Sequence, residues 1–109
     1  MSGEDNRHAG SGPVVLDIGG DVGAAVIVAP PALVGTEIEA RPVGVDAPGH
    51  RPHVGVVARP APDGSVVPSA VFGALLAGAY ELYERPAGPV RLRLAVTGGA
   101  VTGAVWPLG

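Results

Sequence analysis

The 109-residue sequence has no cysteine and no lysine, and its aromatics are one Phe, one Trp and two Tyr. Lack of cysteine excludes disulfides, thiolate metal sites and a cysteine nucleophile together, and makes cytoplasmic residence the simplest expectation. No apolar run approaches the roughly 18 residues that cross a membrane. Met1 to Gly12 is polar with both charge signs, unlike a secretory signal, so neither export nor a membrane partner is expected. Without lysine, all seven basic residues are Arg, set against ten acidic ones for a net charge of −3. A mildly acidic chain with no basic stripe and no aromatic platform for stacking bases is a poor nucleic-acid binder.

What is present is aliphatic. The apolar fraction is 47%, so the core must be built from Val, Leu, Ile and Ala, and branched valines favour strands. Gly (18) and Pro (12) then read as punctuation between short strands. The length suits one domain that buries roughly two-thirds of its unfolded surface. Met1 to Pro13 carries no recurring apolar residue and is expected to be a disordered leader before a single domain over 14–109.

Strands are expected at Val14 to Ile18 and Val22 to Val28, both largely buried. Thr36 to Val43 sets Ile38 and Ala40 against Glu37, Glu39 and Arg41, the alternation of a strand with one wet face. His53 to Arg59 alternates again. Ser65 to Phe72 follows, demoted to an edge or bulge by Pro68, and Ala74 to Ala77 is read as a turn. In Gly78 to Glu84, Tyr80 and Leu82 point inward while Glu81 and Tyr83 point to solvent. Val90 to Val96 puts Leu92 and Leu94 inward and Arg91 and Arg93 outward. A turn at Gly98-Gly99 leads to Val101 to Trp106. About eight strands spaced some 8 to 12 residues apart predict an all-β fold, a seven- to eight-stranded antiparallel β-sandwich.

The pattern Phe72, Leu75, Gly78, Tyr80, Leu82, then Val101, Val105 and Trp106 after Gly98-Gly99, resembles the closing strands of transthyretin-like or carboxypeptidase-regulatory-like β-sandwich domains. That resemblance covers about a third of the chain and implies a transthyretin-like or immunoglobulin-like sandwich ending in a Gly-Gly hairpin. The whole chain is also similar to a group of small actinobacterial proteins, some of which carry the label phospholipase. No residues support that activity. Ser11 lies in Gly10-Ser11-Gly12 within the leader and has no strand before it or helix after it, as a nucleophile elbow requires.

His50 and His53 form the one His-x-x-His. On a loop two such imidazoles can share a Zn or Cu ion, whereas on a regular strand they point to opposite faces. Glu37 and Glu39 are the candidate further ligands, one of them near His53 if the two strands pair. The simpler alternative is that Glu37, Glu39 and Arg41 meet Glu81, Arg91 or Arg93 in cross-strand ion pairs. Asp17, Gly19, Gly20, Asp21 and Gly23 lack the Lys and helix of a phosphate loop and read as a turn. Trp106 and Tyr83 are the candidate interaction residues, Trp106 serving otherwise as a core or rim aromatic. With no nucleophile–base pair and no cofactor loop, the expectation is a non-catalytic binding or accessory module without a cofactor. It would act by contact with an unidentified protein or with further copies of itself. The alternative is a Zn- or Cu-binding domain, or a metal-dependent hydrolase, that uses His50 and His53.

Overall fold

The computed structural model describes residues 16–44 and 51–108, so the expected leader and His50 lie outside the described residues. Eight strands follow one another: β1 (Val22–Val28), β2 (Glu37–Pro42), β3 (His53–Gly55), β4 (Val57–Pro60), β5 (Val66–Leu76), β6 (Gly78–Glu84), β7 (Val90–Val96) and β8 (Val101–Val105). They form two four-stranded sheets, ordered β4-β5-β1-β8 and β3-β2-β6-β7. The fold is an all-β sandwich of eight strands. Among the described residues there is a single 3-10 turn, Pro31–Leu33, after β1, and no helix is long and apolar enough to cross a membrane.

The core lies between the sheets. Ala25, Ile27, Ala70, Phe72 and Leu75 enter it from the first sheet, and Ile38, Ala40, Tyr80, Leu82 and Val96 from the second. Phe72 and Leu75 are three apart, a spacing that would put them on opposite faces of a regular strand. In the register with β1, Ala25 faces Phe72 and Gly23 faces Leu75. Two β5 residues, Gly73 and Ala74, therefore stand against Ala24 alone, and this bulge returns Leu75 to the core side. Hence β5 runs on through the expected turn at Ala74 to Ala77, ending at Leu76.

Pro68 is not in an edge strand, because β5 pairs with β4 on one side and β1 on the other. Its carbonyl accepts from the Ala29 N–H at 3.0 Å, just past the last β1 residue paired with β5. The N–H that proline lacks would point to the same side, so the ladder loses little.

From β5 the chain crosses to the other sheet through Ala77. Gly78, at φ 149°, takes a backbone conformation that a side chain resists. The Tyr80 hydroxyl donates to the Leu76 carbonyl at 2.7 Å, locking the corner as a tyrosine corner does in immunoglobulin-like sandwiches.

Three other expectations are corrected. Of the strand expected at Val14 to Ile18, Val14 and Val15 lie outside the described residues and Leu16 to Ile18 is not a strand; Asp17 N–H donates to the Gly73 carbonyl of β5 at 3.1 Å. His53 to Arg59 is two strands, because at the buried Val56 the chain leaves β2 in one sheet and joins β5 in the other. The Gly98-Gly99 turn is not a hairpin. It carries the chain from β7 in one sheet to β8 in the other, where β8 pairs with β1 in parallel, the one parallel pair among the described residues.

Candidate functional site

Alternation along β2 sends Glu37, Glu39 and Arg41 to the outer face of the β3-β2-β6-β7 sheet, and register decides what each meets. Glu39 stands opposite His53 on one side and Tyr83 on the other, and Arg41 stands opposite Glu81. Glu81 in turn stands opposite Arg93. The side chains make a ladder of alternating sign. Arg41 reaches Glu81 at 2.7 Å and Arg93 reaches its other oxygen at 3.2 Å. Arg85 spans two carboxylates, Glu37 at 3.1 Å and Glu39 at 3.2 Å. His53 Nδ1 lies 3.4 Å from Glu37. Arg91, beside a bulge in the β6–β7 pairing, instead donates to the Pro107 carbonyl at 3.3 Å.

Tyr83 corrects an expectation. It does lie on the outer face, yet it is buried. Its hydroxyl donates to Glu39, and the Arg41 guanidinium sits 5.5 Å from its ring centre, within cation–π range. Charged neighbours, not the core, exclude water from it. Burial, then the bond to Glu39, raises the Tyr83 pKa above that of a free phenol, and burial raises that of Tyr80. The hydrogen bond from Arg41 holds Glu81 below the usual carboxylate range.

For a phenol whose folded pKa lies above the unfolded one, the stabilisation is complete below the unfolded value and lost as pH rises through the folded value. A near-ultraviolet titration should therefore show neither tyrosine ionising at about pH 10, where a free phenol is half ionised, with ionisation appearing at higher pH together with unfolding. One phenolate titrating at the ordinary value in the folded protein would mean that Tyr83 is open to water.

Pro86 separates two shallow hollows on this side. One, of about 410 Å³, runs from Gly35 and Thr36 past Glu37 to Arg85. The other, of about 340 Å³, is floored by Arg41 and Tyr83. Acid–base catalysis wants a pocket that raises the pKa of one carboxyl, whereas the hydrogen bond from Arg41 acts on Glu81 in the opposite direction.

Of the proposed metal ligands, Glu37 and Glu39 share this face with His53, and His50 lies outside the described residues. Among the described residues no group of three or more His, Asp or Glu side chains gathers as a metal site does. Trp106 is 1% exposed and belongs to the core, so it is not a surface anchor. Arg85 was readable only as a turn residue, because alternation ends where the strand does.

The other sheet has the opposite character. Residues directly across from one another share a face, so Val26 of β1 lies beside Val71 of β5 and Gly103 of β8, and Val28 lies beside Ser69 and Val105. These point away from the core. Val28, Leu76, Val101 and Val105 are exposed, and the outward positions of β1, β5 and β8 carry no charge. Arg59, at the β4 margin, donates to Ser69 at 2.9 Å. The signal for this face was the nearly unbroken apolar run of Val22 to Val28, which the alternation rule assigns to a strand covered on both sides.

No family model, curated protein or solved structure matches the chain.

Proposed function

We propose that this chain is a small non-catalytic contact module, a transthyretin-like sandwich that binds protein on the outer face of its β4-β5-β1-β8 sheet. The observation that carries this reading is the contrast between the two outer faces. One bears a ladder of paired charges. The other is apolar across three adjacent strands, and nothing among the described residues lies over Val28, Val101 or Val105. The largest contiguous apolar patch on a protein surface is often a functional one. The transthyretin-like assignment is supported by the corner in which Phe72, Leu75, Tyr80 and Leu82 are buried while Tyr80 bonds back to Leu76.

A photo-reactive amino acid placed at Val105 should capture protein in cells, and the same residue placed at Arg93, on the charged sheet, should not. Equal capture at both positions, or none at Val105, would sink the reading. Stoichiometric zinc binding lost in a His50→Ala, His53→Ala variant would replace it with the metal-binding alternative.

A further inference from the structure

The apolar face fits one occupant best, and we infer that it is a second copy of this chain, packed face to face about a twofold axis. The inference rests on the contact reading above and names its partner.

Size comes first. Four strands about 4.8 Å apart and some 20 Å long make a face of roughly 400 Å² in projection, and its corrugated side chains expose on the order of 600 Å². Two such faces together remove about 1,200 Å² from water, the lower bound for a specific interface. A smaller occupant would leave part of the face wet.

Chemistry comes next. Three of its four strands, β5, β1 and β8, present no charge, and Arg59 on β4 is already bonded to Ser69, so the best complement of this face is another of the same kind. A twofold axis supplies that complement without any new sequence. Two four-stranded sheets of equal twist pack aligned at about −30°, the arrangement already used inside each sandwich. Valines suit the task, because branched side chains held on strands have little rotamer freedom left to lose on association.

The charged ladder, three Glu and three Arg, is balanced and lies on the far side of the sandwich, so it adds no net charge at the contact.

A rival geometry uses the same strand. β8 is an edge, and it lacks the charges of β7, the closing proline of β4 and the brevity of β3 that protect the other edges. Its residues Val101, Gly103 and Val105 turn their backbone groups away from β1, since Ala100 and Trp106 hold the bonds to it. Two copies could join there edge to edge, leaving the face open.

Sedimentation of the purified full chain at about 10 and 100 µM, the range that separates a weak dimer from a stable one, should show a dimer. Val26→Lys puts two unpaired charges into the centre of the interface and should weaken it about a thousandfold or more. Val105→Lys should weaken it as well; its parent side chain is 70% exposed, so the protomer keeps its fold and this variant decides the matter if Val26→Lys does not fold. Arg93→Ala, on the opposite sheet, should remain a dimer. A monomer at both concentrations overturns the inference, as does a dimer that survives both lysine variants. So does a dimer abolished by Gly103→Pro, which blocks edge pairing, but kept in Val26→Lys. A monomer whose Val105 still captures a different protein in cells removes the second copy and leaves the contact module standing; a monomer that captures nothing removes both.

Discussion

Trp106→Ala should destabilise the fold by about 3–5 kcal/mol, the range for a large aromatic removed from a core, and lower Tm by on the order of 20 °C for a domain of this size. The indole is one of the largest fully buried side chains. Its position is fixed from the backbone, because the Trp106 N–H donates to the Val28 carbonyl at 2.7 Å and so extends the parallel β1–β8 ladder one residue past β8. Removing the ring leaves a cavity between the sheets that rigid neighbours such as Ile27 and Phe72 cannot close. Denaturant melts measure the loss. An anchor waiting on the surface for a partner would cost less than about 1 kcal/mol in the free protein, so a small loss would contradict the buried placement. Truncation after Pro107 makes the comparison sharper, since it keeps the Pro107 carbonyl that Arg91 bonds to, while Leu108 is 85% exposed and its removal should change stability little.

The strands most legible in the sequence were those with one charged and one apolar row. β2, β6 and β7 could be placed within a residue or two because Glu37, Glu39 and Arg41, or Arg91 and Arg93, mark the wet side. The break at Val56 was invisible because His53 to Arg59 keeps its alternation across it. Both sheets press the same core, so a strand that changes sheets need not change which residues point inward. The bulge at Gly73 and Ala74 was hidden for the opposite reason. It disturbs the period, and a disturbed period reads as a turn.

Site residues followed the same logic. Opposition of Arg41 to Glu81, and of a glutamate to His53, was legible as soon as neighbouring strands were assumed to pair. The burial of Tyr83 was not. Alternation sorts residues by face, but it does not show that arginine stems, a glutamate and the Arg85-Pro86 turn can close over a ring on the wet side. The apolar outer face was missed differently: its valines were counted as core because nothing in a single chain shows that one side of a buried-looking strand has no cover.

Gly23→Val should be nearly as damaging as loss of the tryptophan, although strand propensity alone favours valine over glycine. A Cβ at position 23 would run into the Thr97 carbonyl oxygen and come within 2.8 Å of Val96 and 3.0 Å of the Ala100 carbonyl. Two of these three obstacles are backbone, in the arch that carries the chain from β7 to β8, and the same arch has a second close approach where a Cβ on Gly98 would meet Asp21 Cα at 2.9 Å. Glycines thus form the seam that lets the turn before β1 and the turn before β8 lie against each other. A branched side chain in that seam must push the sheets' ends apart. The expected loss is about 3 kcal/mol, the upper part of the range for overpacking, since backbone yields less readily than a side chain. Gly103→Val supplies the control, because a Cβ there meets nothing within 4 Å; it should leave the protomer as stable as before or slightly more so. If both variants melt at the temperature of the parent, the two turns do not touch and the seam is not what closes this end of the sandwich.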